Sequence, residues 1–450
     1  MQKKIEITSE LLNNLIFSIE KKDNSSVLKI ITEMHAADIA EILENLPTKE
    51  AQLLFELVDQ KRSADVIVEL DDDLRESLLS DLTSKEIAEK VIDNLESDDA
   101  ADIIGEFPGK QQEEILALIE DAEHANDISD LLTYEENSAG GLMAKELIQV
   151  NENWDTKKCL KEMHKQAKNV KKVYSIYVVD NNKKLLGTLS LRQLLLSQSE
   201  IPIKKIIKKD IASVNTGESS EAVANIMNKY DLIAIPVVDR HNRLIGRITL
   251  DDVIDIVKEE AEKDYQMASG ISEDIEANDK IWTLTRARLP WLLIGMIGGV
   301  LGAKIIGVFD IKNNFELAFF IPLIAAMAGN VGVQSAAIIV QGLANNKLKL
   351  DGIINKLMKE FGVAFVNGII CAIIILGISF TLGYNLMLCI TVSISLLSVI
   401  IFAALFGTCV PLILHKNKID PALATGPFIT TVNDILGLII YFIIGEALLI

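Results

Sequence analysis

The hydrophobic pattern of the first third of the chain predicts helices. Residues 5–136 place apolar side chains at helical spacing, with frequent stop signals and no run typical of a strand. Similar phrases begin at positions 35, 62 and 98: HAADIAEIL, RSADVIVEL and DDAADIIGEF. Short antiparallel helices stacked as an irregular solenoid explain both features. We therefore predict an all-α, superhelical (solenoid-like) domain over residues 1–141.

The next segment contains a duplication. The phrase YSIYVVDNNKKLLGTLSLRQLL matches LIAIPVVDRHNRLIGRITLDDVI, and the aligned aspartates and glycines lie 59 residues apart: Asp180 with Asp239 and Gly187 with Gly246. Each copy shows the order helix, apolar strand, polar turn, strand and helix, which resembles a cystathionine-β-synthase-type (CBS) motif. We predict an α/β CBS pair (Bateman domain), with motif 1 at 142–201 and motif 2 at 202–258.

CBS motifs bind ribose through a Gly-x-x-Ser/Thr-x-x-Asp phrase. The second copy keeps this phrase as Gly246, Thr249 and Asp252, whereas the first copy has Gly187, Ser190 and Gln193 and lacks the carboxylate. ATP or another adenosyl nucleotide is therefore expected at the second copy, if the pair binds one. A purely structural pair is the open alternative.

The last part of the chain is apolar and long enough to cross a membrane. A charged connector (plug) helix is predicted over 259–285, with a break at Gly270. Five apolar stretches follow, and each meets the roughly 20 residues that a bilayer core of about 30 Å requires. They are 289–309, 317–343, 354–381, 385–414 and 421–450. We predict a five-helix transmembrane domain over 286–450.

Loop charges give an expected orientation. Basic residues precede the first span and follow the second and the fourth: Arg286, Arg288, Lys347, Lys349, His415, Lys416 and Lys418. After the first span, in contrast, Lys312 stands beside the acidic Asp310 and Glu316. The start of the chain has no apolar core typical of a signal peptide. The positive-inside rule thus predicts a protein of the cell (plasma) membrane with its N-terminus in the cytosol and its C-terminus outside.

The acidic excess indicates which partners to expect. Residues 1–141 carry 35 acidic and 12 basic side chains, and the whole chain has a net charge of −20. Nucleic acid needs a basic face, so we exclude it as a partner. Cations are the expected partners of the cytosolic part.

Asp434 is the leading candidate for ion contact, because we expect it to be the only carboxylate well inside a span. A charge there costs about 2.5 to 3.5 kcal/mol on the insertion scale, and by default it marks an ion or proton path. Gly426-Pro427 is expected to interrupt the fifth span and free a backbone carbonyl. Thr430, one turn before Asp434, would offer such an oxygen.

The second span contains small and polar residues that are unusual for a lipid-facing helix: Gly329, Asn330, Gly332, Gln334 and Ser335. Together with Asp434 they predict a pore lining. Carboxylate, amide and carbonyl oxygens suit magnesium, calcium or manganese. Two copies of Asp434 facing each other would balance one divalent ion, which requires a dimer.

Two groups of carboxylates in the cytosolic part follow helical spacing. Asp98 and Asp102 share one predicted helix face, and Asp252, Asp255, Glu259 and Glu260 lie where the second CBS copy meets the connector. Like charges 4 Å apart repel by about 4 kcal/mol at an effective dielectric of 20, and divalent ions between them reverse the sign. We hypothesise that cytosolic Mg²⁺ bridges these faces and shuts the pore through the connector.

The whole arrangement resembles the MgtE family of magnesium transporters. The resemblance rests on Pro-x6-Gly-Asn-x-Gly-x-Gln in the second span and Gly-Pro-Phe-x5-Asp-x-x-Gly in the fifth. It implies a homodimeric, magnesium-selective channel in the lipid bilayer, with a pore built from Asp434, carbonyls near Thr430, and Gly329 and Gly437. By local alignment it implies sensor carboxylates at Asp98, Asp102, Asp231, Asp252, Asp255, Glu260 and Asp264. Val333 and Lys263 depart from the pattern that relatives commonly show.

Two alternatives stay open from the sequence. One is a CBS-domain membrane sensor of adenosyl nucleotides that transports nothing, and the other is a broader transporter of Co²⁺, Mn²⁺ or Ca²⁺. An intramembrane enzyme is not expected, because no span carries a His-Glu-x-x-His pair or a serine with a basic partner.

Overall fold

A computed structural model describes residues 7–449 except 169, 199, 273–274, 276–278, 310–314, 345–352 and 425. The chain divides into two compact units, residues 1–257 and 258–450. Four loop charges that contribute to the expected orientation, Asp310, Lys312, Lys347 and Lys349, lie outside the described residues.

The first unit begins with ten short helices. They are Ser9–Glu20 (α1), Asn24–Ile31 (α2), Ala36–Glu44 (α3), Thr48–Phe55 (α4), Gln60–Val68 (α5), Asp72–Ser80 (α6), Ser84–Lys90 (α7), Ser97–Gly105 (α8), Gly109–Leu116 (α9) and Ala122–Leu131 (α10). Local capping starts several of them, as at Thr83, which forms a reciprocal capping box with Glu86 before α7. Helices two apart in sequence pack together, α3 on α5, α5 on α7 and α7 on α9. This confirms the predicted solenoid-like α domain.

Two small mixed sheets follow in the same unit. The first copy comprises Ile148–Asn151 (β1), Thr156–Gln166 (α11), Ile176–Val179 (β2), Leu185–Leu189 (β3) and Leu191–Leu196 (α12). The second comprises Val214–Asn215 (β4), Ser220–Tyr230 (α13), Ala234–Val238 (β5), Leu244–Thr249 (β6) and Leu250–Ala268 (α14). The first eight residues of α14 belong to the first unit and the remaining residues to the second. In each sheet a parallel pair is followed by an antiparallel pair.

The two copies agree down to their turns. Each antiparallel pair has a register shift at the same place, between Val178 and Val179 and between Val237 and Val238. The aspartate that ends the strand accepts two backbone N–H groups of the following turn, at 2.7 and 2.9 Å for Asp180 and 2.8 and 2.9 Å for Asp239. The predicted duplication is therefore present in the structure.

Helix α14 runs without interruption from the second CBS copy into the segment predicted as the connector. The helix ends just before Gly270, whose backbone has a left-handed φ of +79°. The N–H of Ile271 donates to the carbonyl of Gln266, and that of Gly270 to the carbonyl of Met267, both at 3.0 Å. This pair of bonds is a Schellman motif, which explains the break predicted at Gly270.

Over its described residues, the second unit holds five helices that are long and apolar enough to cross a membrane. They are Ile281–Val308 (α15), Ile321–Ala344 (α16), Ile353–Thr381 (α17), Leu386–Lys416 (α18) and Pro427–Leu449 (α19). Helix α18 is central, with 56% of its most apolar window buried, compared with 11% for α15 and α17. Tyr441 of α19 is fully buried and donates its hydroxyl to the carbonyl of Leu317 at 2.8 Å.

The predicted kink in the fifth span needs correction. Pro427 is the first residue of α19 and does not lie within the helix, and Gly426 before it has a φ of +54°. Proline suits a first helical position, because its φ is already helical and that N–H would have no partner within the helix. The carbonyl of Gly426 accepts both the N–H and the hydroxyl of Thr430, at 3.1 and 3.0 Å. The membrane-spanning helix is thus shorter than the apolar stretch that predicted it.

Candidate functional site

The membrane unit brings Asp434 and Thr430 of α19 against Gly329 of α16. A Cβ atom at position 329 would lie 3.1 Å from Asp434 Oδ1 and 2.8 Å from Thr430 Cγ2. The glycine therefore provides the space in which the carboxylate and the threonine face α16. Asp434 Oδ1 is buried and has no hydrogen-bond partner among the described residues. Its remaining bonding capacity is available to a ligand.

Other residues predicted in the pore have different surroundings. Gly332 contacts Asn433 of α19, and Gly437 packs against Ala328, since an added Cβ would lie 3.0 Å from the Ala328 Cβ. Asn330 and Gln334 lie on the exposed face of α16, one helical turn apart. Of the predicted pore set, the structure thus groups Gly329, Thr430 and Asp434 and leaves the two amides on an open face.

A second carboxylate within the spans was missed. Glu360 is the eighth residue of α17, and it accepts a hydrogen bond of 2.6 Å from the buried hydroxyl of Ser335 on α16. The expectation that Asp434 is the only carboxylate well inside a span was therefore wrong. Glu360 lies inside the third predicted stretch, 354–381, and its pairing with Ser335 depends on the helix packing.

In the first unit, four carboxylates influence one another: Asp98, Asp99 and Asp102 on α8, and Asp252 on α14. Burial raises the pKa of Asp98 well above its usual range, and the charges of Asp99 and Asp252 add to this. Desolvation and the charge of Asp252 raise the pKa of Asp99 to about 6. Desolvation and the charge of Asp99 raise the pKa of Asp102 to about 7, although its side chain is still exposed to solvent. We call these four residues the acidic cluster.

Asp252 also has a structural role at the start of α14. Its Oδ2 accepts the N–H and the hydroxyl of Thr249, at 2.9 and 2.8 Å. This is the carboxylate half of a capping box. Burial raises the pKa of Asp252, and the Thr249 hydrogen bonds oppose that shift. The same carboxylate therefore caps a helix and adds charge to the acidic cluster.

Two basic residues that the sequence did not single out lie beside the cluster. Arg247 is 3% exposed, and its guanidinium donates to Glu96 Oε2 at 3.0 Å and to the Glu146 carbonyl at 2.7 Å. Lys171 donates to Asp65 Oδ1 at 2.9 Å, and its charge lowers the pKa of Asp99. The duplication could have drawn attention to Arg247, because the aligned position in the first copy is a threonine and the arginine is therefore not part of the repeated pattern.

The remaining predicted sensor residues lie at the end of α13 and along α14. Asp231 closes α13 in the left-handed conformation, with φ +51°, and is exposed. Four more follow along α14, of which Asp264 is half-buried and the others are exposed: Asp255, Glu259, Glu260 and Asp264. Among the residues that the structure describes, no three Asp, Glu, His or Cys side chains are close enough to hold a metal ion together.

The ribose phrase of the second CBS copy is present but engaged within the protein. A Cβ at Gly246 would lie 2.7 Å from the sulfur of Met143, so packing alone requires that glycine. The Thr249 hydroxyl contacts the carboxylates of Asp251 and Asp252. In the first copy, Ser190 caps α12 by accepting the N–H of Gln193 at 3.1 Å. A hydroxyl and a carboxylate suited to a ribose are thus present in the second copy only.

Family models match three parts of the chain. The MgtE intracellular N domain matches residues 34–137, the CBS domain matches 139–200 and 203–259, and the MgtE divalent cation transporter domain matches 321–444. These segments follow the order of the solenoid, the paired sheets and the membrane helices.

Complete proteins and a solved structure are also similar. The magnesium transporter MgtE of Bacillus subtilis is 30% identical over 440 residues, which cover 97% of each chain. That of Thermus thermophilus is 29% identical, covering 96% of this chain and 97% of that protein. The crystal structure of the cytosolic domain of the Mg²⁺ channel MgtE in complex with ATP is 29% identical, with a TM-score of 0.51, and covers 55% of this chain and 100% of that chain.

Proposed function

This chain belongs to the MgtE family of magnesium transporters, and we propose that it is a magnesium-selective channel through which Mg²⁺ enters the cell down its electrochemical gradient. The observation that carries the proposal is the Asp434 carboxylate, which faces Gly329 and whose Oδ1 is buried with no hydrogen-bond partner in the described part of the chain. A divalent ion moving down a 100 mV inside-negative potential gains about 4.6 kcal/mol, so uptake needs no other energy source. The named relatives are transporters, in agreement with the prediction that the chain is not an enzyme.

The chemistry of the proposed pore favours a hard, hydrated cation. Mg²⁺ prefers oxygen ligands and gives up its water molecules reluctantly. A single carboxylate per chain, with the carbonyls near Thr430, suits an ion that keeps most of its water shell. We propose that Gly329, Asn330, Gly332, Gln334 and Gly437 complete the lining with Thr430 and Asp434.

A homodimer would place the polar face of α16 beside protein and pore water. Asn330 and Gln334 are exposed on a helix long enough to span the membrane. An amide that faces lipid tails lacks hydrogen-bond partners and is costly. We infer that a second copy of the chain covers this face, with the pore between the two copies and two Asp434 side chains balancing one divalent charge.

We propose that the acidic cluster senses cytosolic Mg²⁺. Desolvation first, and then the charges of neighbouring carboxylates, raise the pKa values of Asp98, Asp99 and Asp102, so these groups are costly to ionise together. Divalent ions would relieve this repulsion, with Asp231, Asp252, Asp255, Glu259, Glu260 and Asp264 as further ligands. The sites would then require water molecules or a second chain to complete a coordination shell.

Helix α14 would transmit the signal. It begins beside Asp252 and, at its 1.5 Å rise per residue, extends for about 28 Å. At its far end, a Cβ on Gly270 would lie 2.6 Å from the ring of Pro427, the first residue of the helix that carries Asp434. We propose that Mg²⁺ binding holds α14 against α19 and closes the pore. Moving the gate from 1:99 to 99:1 needs about 5.5 kcal/mol of differential binding.

We also propose that ATP binds at the second CBS copy, through Gly246, Thr249 and Asp252. The support is the ATP bound by the cytosolic domain of the related Mg²⁺ channel. Calorimetric titration of the purified chain with ATP tests this. Thr249→Val should weaken binding, whereas Ser190→Ala in the first copy should not, and equal effects would contradict the assignment.

Vesicles that contain the purified chain and a Mg²⁺-sensitive dye test the transport proposal. With an inside-negative potassium diffusion potential and no ATP, we expect Mg²⁺ uptake that protein-free vesicles do not show. Adding Co²⁺, Mn²⁺ or Ca²⁺ as the sole divalent cation separates a magnesium-selective channel from a broader transporter. Vesicles that take up none of these ions would favour the nucleotide sensor instead.

The expected orientation is also a proposal, with the N-terminus in the cytosol and the C-terminus outside the plasma membrane. Of its supporting charges, Arg286, Arg288 and Lys416 lie on described helices. Labelling single cysteines placed at 449, the last residue of α19, and at 20 with an impermeant reagent, in a variant without the native cysteines, tests it in intact cells. Labelling at 20 but not at 449 would contradict the orientation.

A further inference from the structure

Asn433, directly before Asp434, has an unusual environment. Its side chain is 0% exposed, and neither the oxygen nor the nitrogen of its amide has a hydrogen-bond partner among the described residues. An unpaired amide in an apolar interior is unfavourable, so natural helices rarely keep one. Residues that break such a rule commonly lie at functional sites. Asn433 is therefore a candidate for a role in the pore.

The amide fits where α16 has no side chain. A Cβ atom at Gly332 would overlap with Asn433 Nδ2 and would lie 3.0 Å from Ile429 Cγ2. On its other side, the backbone of Gly332 is in close contact with α18, since a Cβ at Gly407 would overlap with the Gly332 carbonyl oxygen. Gly332 is therefore held between α18 and α19. We call the space that receives the amide the Gly332 slot.

The slot and the proposed ion site are mechanically linked. Consecutive residues of a helix point about 100° apart, so Asn433 and Asp434 contact different parts of the α16 surface. Asp434 faces Gly329, which lies one helical turn before Gly332. Any rotation of α19 that removes Asn433 from the slot also turns the Asp434 carboxylate away from Gly329.

We propose that Asn433 is a positioning residue for ion selection. Its amide, held in the Gly332 slot, fixes the rotation of α19 and therefore the direction of the Asp434 carboxylate. The inference rests on the proposed transport function, because it assigns a residue to the selectivity of that pore.

Compensating substitutions test the contact. Gly332→Ala should displace α19, and Asn433→Ala should leave it free to rotate. Each should reduce the preference for Mg²⁺ over Mn²⁺ and Co²⁺ in vesicle uptake by about threefold to tenfold, in the range of interactions between membrane helices. The double variant Asn433→Ala/Gly332→Ala should recover most of the preference, because the alanine methyl fills the space that the amide vacates. Gly362→Ala is the control, since no atom lies within 4 Å of a Cβ placed there.

Two outcomes would overturn the proposal. One is a double variant no better than Gly332→Ala, and the other is a loss of uptake in Asn433→Ala with an unchanged ion preference, which indicates a merely structural role. Melting temperatures in detergent of the wild type, the two single variants and the double variant test the Asn433–Gly332 contact without transport. If the changes in melting temperature are not additive but the wild type shows no uptake, the contact stands and the transport function fails. If the changes are additive, the contact itself is refuted.

Discussion

The acidic cluster predicts a stability that falls as pH rises and that Mg²⁺ restores. The folded-state pKa values of Asp99 and Asp102, about 6 and about 7, lie above the ordinary value of 3.8. Between pH 4 and 7 the folded protein therefore binds more protons than the unfolded chain. Stability contributed by these groups is greatest at low pH and is lost as pH rises through the folded-state values.

The size of the effect follows from the shift. The shift of about two pKa units at Asp99 corresponds to about 2.7 kcal/mol in all, of which about 1.4 kcal/mol is lost between pH 5 and pH 8, because the loss is complete just above pH 6. Asp102 is exposed, so solvent screening reduces its share. We expect the pair to lower the stability of the cytosolic unit on the order of 2 to 3 kcal/mol between pH 5 and pH 8. For a unit of this size, that is a drop in melting temperature of about 4 to 12 °C.

Thermal unfolding of a fragment of residues 1–268 measures this directly. Without divalent ions, the melting temperature should fall from pH 5 to pH 8. Mg²⁺ should raise it at pH 8 and have little effect at pH 5, where protons already neutralise the cluster. Asp99→Asn/Asp102→Asn should flatten the pH dependence and remove most of the Mg²⁺ effect, whereas Glu113→Gln/Glu114→Gln on α9 should retain both. Equal stabilisation by Mg²⁺ at both pH values would refute the reasoning.

Three further predictions concern single residues. Lys171→Met removes a cation beside Asp65 and Asp99, so it should lower the Mg²⁺-free melting temperature at pH 8 and enlarge the Mg²⁺ effect. The exposed Lys161→Met on α11 should change neither, and a larger effect from Lys161 would contradict this. Arg247→Met leaves the charge of Glu96 without its buried partner, and should cost about 3 to 5 kcal/mol in denaturant unfolding; a change below 1 kcal/mol would show that the pair matters little. Gly329→Ala places a methyl group against Thr430 and Asp434 and should reduce Mg²⁺ uptake at least about tenfold, whereas Gly362→Ala should not; normal uptake by Gly329→Ala would contradict the proposed site.

The sequence was informative wherever a pattern repeats. Helical spacing predicted the solenoid, the 59-residue offset predicted two equivalent sheets, and apolar length predicted five membrane helices. Gly270 was recognised as a break because glycine suits a left-handed helix end. Each of these features depends on local chemistry or on a period that can be counted along the chain.

Contacts between distant elements could not be predicted in this way. Glu360 and Ser335 are 25 residues apart, and Arg247 and Glu96 are 151 apart, and no spacing rule brings them together. Pro427 lies inside an apolar stretch, which predicts an interruption of the span there, yet it begins the helix. The contact of Asn433 with Gly332 depends on the packing of three helices, and the hydrophobic periodicity of the sequence does not predict it.

The most direct test of the central claim is Mg²⁺ uptake by vesicles that contain Asp434→Asn, compared with Glu446→Gln, a carboxylate change on the exposed face of the same helix. We expect Asp434→Asn to abolish uptake or to lose the preference for Mg²⁺, because the amide cannot balance a divalent charge, while Glu446→Gln conducts like the wild type. Uptake by Asp434→Asn at the wild-type rate and with the wild-type ion preference would show that the ion does not pass the Asp434 carboxylate.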